Sequence, residues 1–388
     1  MNRGSAIVAT GQTDFVARRL DVSIPEMVRE AVDRCLEVRE LDIGIVDAVV
    51  IGNMELFEGI HFPEQWMVSA LGAAGLPLYK VNTGGTVGAS VAVMCDYLVS
   101  SGLHDRVLGI GYEKQSEGDS QGNITTVGDP VWERSVMAGA IGNFAVMASQ
   151  YLQRSDSTPE HAAKVGVKAR RNACLNPHAQ LKMPDITVEQ IAESRVLAWP
   201  VRLLDMCPSS DGAAAALFVP ANDAASLCPR PAYVASTATA HDTQFMGDSP
   251  YRLAEMRSLQ TATRTAYEEA GIIDPRRQLD VAEIYEPATY AELAMYENCG
   301  FCPLGEGGTL IDQGVTELGG ELPVNPSGGV LSTNAVGATA MVRVVEAALQ
   351  VMHEAGDHQV PDANWSLATG YGGNAWTEVL VLTGERPL

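Results

Sequence analysis

Val81-Asn82-Thr83-Gly84-Gly85-Thr86-Val87-Gly88-Ala89-Ser90 runs straight into Val91-Ala92-Val93-Met94-Cys95-Asp96-Tyr97-Leu98. The apolar stretch from Val91 to Leu98 reads as a helix that follows the glycines. Working outward, the helix of residues 90 to 102 leads through Gly102 into Arg106-Val107-Leu108-Gly109-Ile110-Gly111, an apolar strand. Upstream, Ala6 to Thr10 is a short apolar strand, and Ser23 to Val38 begins as a helix in which Ser can cap and Pro sits early. Val46 to Gly52 is β-branched and apolar, as suits a strand buried on both faces.

The pattern changes between about residues 115 and 205. Gly and Asp cluster at 118 to 129, then helical periodicity returns in Met137 to Tyr151 and in Glu160 to Cys174, which predicts an inserted helical subdomain. The sheet resumes at Ala213 to Val219 and is closed by Pro220. In the second half a Gly-Gly turn, Gly337-Ala338-Thr339, an amphipathic helix to Met352 and Ser366 to Gly370 echo the opening segment. Such duplication lets two βα halves pack together and present paired loops to one site. The halves are residues 1–228 and 229–388, joined at Leu227-Cys228-Pro229-Arg230-Pro231.

Composition narrows the functions. The 388 residues are 46% hydrophobic with 37 glycines, enough for a large α/β core. No run approaches roughly 18 unbroken apolar residues, and the N-terminus does not read as a signal peptide, so the expectation is a cytoplasmic protein without a membrane span. A net charge of -22 argues against general affinity for nucleic acid or anionic membrane. Seven scattered cysteines suggest reduced thiols, and the lone Cys299-Gly300-Phe301-Cys302 has no second pair to make a zinc site, so no metal is expected. The cluster Lys164, Lys168, Arg170, Arg171 and Lys182 reads either as a solvated helix face or as a contact for phosphates, with Lys168 and Arg171 as the candidate phosphate ligands.

Several further motifs have a common resemblance. They are Leu108 to Lys114, Cys207-Pro208-Ser209-Ser210-Asp211-Gly212-Ala213-Ala214, Val281-Ala282-Glu283-Ile284-Tyr285-Glu286-Pro287, Gly300 to Gly308 and Asn325-Pro326-Ser327-Gly328-Gly329. In this order, with the opening segment, they resemble the sterol-carrier-protein-type and lipid-transfer-type branch of the thiolases over nearly the whole chain. The resemblance implies a thiolase fold: two duplicated βα halves in a five-layered αβαβα arrangement. It also implies a coenzyme A thioester as substrate with no permanently bound cofactor, a homodimeric core, and a small zinc-ribbon/OB-fold partner that completes the acyl pocket.

The departures fall at the chemical positions. Gly85 stands where the family places its nucleophilic cysteine. Ser332-Thr333-Asn334-Ala335-Val336-Gly337 lacks the histidine of the family's Gly-His-Pro segment, and Gly370 stands at the second cysteine. Cys95 lies ten residues beyond Gly85, roughly 15 Å down a helix at about 1.5 Å per residue, too far to inherit the role. Thr83 and Thr86 are near, but an alkoxide is hard to generate without an adjacent base. Cys299 or Cys302 approaching from the other half is the remaining thiol candidate.

Thiolysis requires a covalent acyl-enzyme, so loss of the thiolate removes a step. Aldol cleavage of a β-hydroxyacyl thioester needs only a group that takes the hydroxyl proton and donors that stabilise an enolate. Tyr285, at the loop position where relatives place asparagine or histidine, is the candidate acid/base. Steroid side-chain-cleaving aldolases resemble this chain in lacking the nucleophile and using tyrosines, although their second tyrosine is absent from Leu331 to Ala335. Gly85, Gly328, Gly329, Gly372 and Gly373 are candidates for close backbone approach to a thioester oxygen. Asn334 and Asn374 are candidate donors to the same oxygen, and His241 is a candidate loop residue over the site. The leading reading is an aldolase-type lyase in breakdown of a steroid, aromatic or branched acid. The alternatives are a thiolase or acyltransferase with a relocated nucleophile, and a non-catalytic acyl-CoA-binding subunit.

Overall fold

The computed structural model describes residues 3–136, 139–243, 245, 247–373 and 376–387. Its first half carries β1 (Ser5–Gln12), β2 (Ala48–Gly52), β3 (Leu78–Val81), β4 (Val107–Lys114) and β5 (Asp211–Pro220), in the order β3-β2-β4-β5-β1. The strands β3, β2 and β4 are parallel, and β5 runs antiparallel between β4 and β1. The second half repeats the plan with β6 (Ala232–His241), β7 (Val281–Glu283), β8 (Trp365–Gly372) and β9 (Trp376–Thr383), in the order β6-β9-β8-β7. Here β7 and β8 are parallel and β9 runs antiparallel between β8 and β6. A parallel bridge from Ala282 to Val324 extends this sheet at the position that β3 holds in the first. Two residue pairs, Ala6 with Tyr233 and Ile7 with Ala232, join the halves into one nine-stranded sheet among the described residues.

Helices complete five layers. Helix α1 (Ile24–Glu37) covers β1 and β5 from outside. Its start follows from a capping box: the Ser23 side chain accepts from the Glu26 amide, and the Glu26 carboxylate accepts from the Ser23 amide at 2.7 Å. Helix α2 (Val87–Ser100) leaves the glycine turn and is mostly apolar on every face, as a helix buried between the two halves of the sheet must be. In the second half α5 (Arg257–Ala270) covers β6 and β9 from outside. The inner helix α7 (Val336–Met352) packs directly on α2. The two inner helices approach so closely that a Cβ on Gly88 would lie 2.3 Å from the Met341 amide nitrogen.

Between β4 and β5 the chain adds α3 (Gly139–Arg154) and α4 (Pro159–Asn172). Met137, where the sequence pattern begins this helical run, lies outside the described residues. Helix α4 packs against α6 (Thr289–Asn298) of the second half, so the inserted segment is fastened to both halves at the end of the molecule where the parallel strands finish.

Candidate active site

The carboxyl ends of β3, β7 and β8 converge at one end of the inner helices, together with the chain entering β5 and β9. Open α/β sheets place their ligand crevices outside such strand ends. The crevice here is a cavity of about 660 Å³, within the range of small-molecule sites. Gly84 and Gly85 approach it after β3, Tyr285 after β7, Tyr371 and Gly372 at the end of β8, and Cys207 before β5. Ile124, Ile141, Phe144, Leu197 and Leu203 of the inserted segment supply an apolar wall.

The turn at Gly85 is crowded. A Cβ there would lie 2.7 Å from the Tyr371 carbonyl oxygen and 3.8 Å from the Tyr285 hydroxyl. A side chain at this position therefore needs the Tyr371 backbone to move, and it would stand in van der Waals contact with the Tyr285 hydroxyl. Tyr285 is only 3% exposed. Its amide donates to Thr369 Oγ1 at 2.9 Å, which fixes the loop over β8. Burial first and the neighbouring Cys207 second push the phenol well above its ordinary value, against an opposing hydrogen bond with Thr339, so Tyr285 is a neutral proton donor at neutral pH.

The polar floor continues from there. Thr339 Oγ1 donates to Asn334 Oδ1 at 2.9 Å, and Asn334 Nδ2 donates to Cys207 Sγ at 3.2 Å. Burial, followed by the Glu286 carboxyl, pushes the Cys207 thiol up to about 12. The thiol is consequently protonated at neutral pH and is a poor nucleophile. Tyr371 stands beside Tyr285 with ring centroids 6.4 Å apart.

Several sequence-derived candidates thus meet in the cavity: Gly85, Tyr285, Asn334, Gly372, Gly373 and, packed edge-on against Trp376 at 5.2 Å, His241. Asn374 lies outside the described residues. Others are corrected. Gly328 and Gly329 are buried away from the cavity lining, and their amides are spent on Asn325 O at 3.0 Å and Ser327 Oγ at 3.3 Å, so they offer nothing to a thioester oxygen. Lys168 is not a phosphate ligand: it is 1% exposed and its ammonium meets the Glu292 carboxylate at 2.5 Å, Val324 O at 2.9 Å and Tyr296 Oη at 3.0 Å. Arg171 is exposed, but it is outside the cavity lining and donates to Ile186 O at 3.2 Å. Cys299 and Cys302 do not line the cavity either.

Cys207, Thr339 and Tyr371 are the site residues that sequence reasoning passed over. The strand rule supplied a signal for Cys207, because a chain entering an antiparallel strand emerges at the carboxyl ends of its parallel neighbours. No group of three or more His, Cys, Asp or Glu among the described residues is arranged to hold a metal ion, and no helix there is long and apolar enough to cross a membrane.

Residues 238–385 match a family model described as Thiolase C-terminal domain-like. The chain is 31% identical to an acetyl-CoA acetyltransferase of Methanothermobacter thermautotrophicus over 381 residues, 97% of this chain and 98% of that one. It is 28% identical to sterol carrier protein 2 of Bos taurus, over 94% of this chain and 69% of the relative. Among solved structures, the Ltp2-ChsH2(DUF35) aldolase superposes with a TM-score of 0.87 at 25% identity, covering 99% of both chains. Human mitochondrial 3-ketoacyl-CoA thiolase shares the fold, with a TM-score of 0.74 at 14% identity over 98% of this chain and 99% of that one.

Proposed function

Because this chain belongs to the thiolase superfamily, in its sterol-carrier-protein-type branch, we propose that it makes or breaks a carbon-carbon bond in a coenzyme A thioester by an aldol route. In the cleavage direction a β-hydroxyacyl thioester yields a carbonyl compound and a shorter acyl thioester, with no acyl-enzyme between them. The observation that carries this reading is the Gly85 turn, which carries no side chain to act as a nucleophile, where the Tyr371 carbonyl leaves a Cβ only 2.7 Å and the Tyr285 hydroxyl stands 3.8 Å from that position.

Tyr285 serves the reacting oxygen. As a neutral phenol it gives its proton to the alkoxide formed in condensation, and by microscopic reversibility it takes that proton back in cleavage. Asn334, fixed by Thr339, is a neutral amide on the same floor and a donor for an enolate oxygen. The apolar wall from the inserted segment suits a bulky, weakly polar acyl group such as a steroid, aromatic or branched acid. The similar aldolase, Ltp2-ChsH2(DUF35), is named for two components, which supports a second subunit for this chain as well. The free edge strand β3 is the natural place for a homodimer to pair across a two-fold axis.

One observation favours a second reading, a relocated nucleophile: Cys207 does reach the cavity. A single assay separates the two. Purified chain, with and without its partner, is offered a branched β-hydroxyacyl-CoA and, separately, the matching β-ketoacyl-CoA with free CoA, and the products are resolved by liquid chromatography and mass spectrometry. The aldol route yields a ketone or aldehyde and a shorter acyl-CoA without added free CoA, and the Cys207→Ala variant stays within a few-fold of the parent. Cleavage of the β-ketoacyl-CoA alone, dependent on free CoA and lost in Cys207→Ala, would establish the relocated nucleophile instead.

A further inference from the structure

Beneath the Gly84-Gly85 turn lies a buried polar chain that the reaction just described does not use. Glu378, on β9 and 4% exposed, points from the second half into the start of α2 in the first. Its carboxylate accepts from Thr86 Oγ1 at 2.5 Å and from Ser90 Oγ. Ser90 Oγ in turn lies 2.5 Å from Thr83 Oγ1, and Thr83 lines the cavity.

The direction of this chain follows from counting protons. A hydroxyl has one proton. With Glu378 ionised, Ser90 spends its proton on the carboxylate and Thr83 donates to Ser90, which leaves the Thr83 oxygen with only lone pairs to turn toward the cavity. A carboxylate at the far end therefore polarises two hydroxyls in series and makes a proton acceptor out of a neutral threonine at the cavity wall.

We propose that Glu378, Ser90 and Thr83 form a proton relay that removes the α-hydrogen of the acyl thioester in condensation and returns it in cleavage. This rests on the carbon-carbon chemistry assigned above and supplies the half of it that Tyr285 does not cover. In condensation the α C-H bond breaks and its proton goes to Thr83 Oγ1, as the Thr83 proton passes to Ser90 and the Ser90 proton to Glu378. The electron pair left behind forms the enolate, which bonds to the carbonyl carbon of the second substrate. The carbonyl π pair moves onto oxygen, which takes the phenolic proton of Tyr285. The carboxyl proton then returns to the Tyr285 phenolate through solvent in the cavity, and cleavage runs each transfer in reverse. Thr83 touches the substrate, whereas Ser90 and Glu378 act through it and are positioning residues.

The environment of Glu378 suits a proton that must be held and released. Thr86 and Ser90 face it from α2, and its sheet neighbours are Thr239 on β6 and Gly370 on β8. Burial raises its titration to about 7, opposed only by the Ser90 and Thr86 hydrogen bonds, and no charged neighbour contributes.

The test is hydrogen exchange at the α-carbon, which needs no second substrate. Acetyl-CoA and propionyl-CoA are incubated with the chain in deuterated buffer and deuterium uptake is followed by mass spectrometry. The parent exchanges at a rate that rises with pH to a plateau above about 7, where the carboxylate is the base. Glu378→Gln and Ser90→Ala each lower exchange about 100-fold while still binding acetyl-CoA in a thermal-shift assay. The residual exchange of Glu378→Gln loses its rise through about pH 7, a change that a purely structural role would not make. If either variant fails to fold, Thr83→Val at the cavity wall tests the relay by the same loss. Parent-rate exchange in any folded variant of the three, or no exchange by the parent at any pH, would overturn the relay. Parent exchange without cleavage of any β-hydroxyacyl thioester would leave the relay standing and sink the aldol reading. Cleavage with parent-rate exchange in Glu378→Gln would do the opposite.

Discussion

Replacing Tyr285 with Phe lowers carbon-carbon bond cleavage about 100- to 10,000-fold, the range that loss of a positioned acid/base group produces. The substitution removes one oxygen and keeps the ring. Its packing beside Tyr371 and the hydrogen bond its backbone N–H donates to Thr369 Oγ1 do not depend on the hydroxyl, so the fold is expected to stand. Thioester binding should stay near the parent's, because the hydroxyl acts on an oxygen that changes charge in the reaction, and such an interaction appears in kcat. Steady-state kinetics on a β-hydroxyacyl-CoA measure both quantities. An unchanged kcat would remove Tyr285 from the reaction, whereas an effect confined to KM would make it a binding group.

Replacing Lys168 with Met has an equally large effect on stability and a different cause. The ammonium and the Glu292 carboxylate are both fully buried and 2.5 Å apart. Tyr296 donates to the same carboxylate, Asn325 Nδ2 reaches its other oxygen at 3.3 Å, and Val324 O accepts from the ammonium. Removing one charge strands the other in a medium that cannot solvate it, and breaking such a pair costs about 3–5 kcal/mol. Urea unfolding should show that loss in Lys168→Met. The double variant Lys168→Met/Glu292→Leu should recover most of it, since an apolar pair of similar volume avoids the desolvation penalty. A Lys168→Met variant as stable as the parent would mean that the pair contributes nothing to fastening α4 on α6.

How much of this was legible in the sequence depends on whether a residue's role is local. The helix from Val91 to Leu98 could be read directly, because its apolar run is a local signal, and the structure places α2 at Val87–Ser100; the strand and turn before it were legible through the resemblance. The echo in the second half pointed to two matching βα halves, and the strand order of the first half recurs in the second. The final strand Trp376–Thr383 went unread, although its pairing with both β6 and β8 completes the second sheet. Tyr285 was found because its motif carries a resemblance, and Gly85 because the resemblance fails there.

Lys168 was misread because a cationic cluster on one helix looks solvated or ligand-facing until the partner is known, and its partner Glu292 sits on a helix of the other half. Gly328 and Gly329 looked available for the same reason: glycine permits close approach, but sequence does not say to what. Glu378 gave no signal at all. Its meaning comes from two hydroxyls at the head of α2, and only the packing of one half on the other brings them together.

The aldol route proposed for this cavity requires that the chain never carries its substrate covalently. Intact-mass spectrometry of the protein, quenched during turnover of a β-hydroxyacyl-CoA and followed by peptide mapping across Cys207, reads this directly. The expected result is the unmodified polypeptide mass at every time point while product accumulates. An acyl adduct that forms and decays at the rate of turnover, on Cys207 or any other side chain, would contradict it.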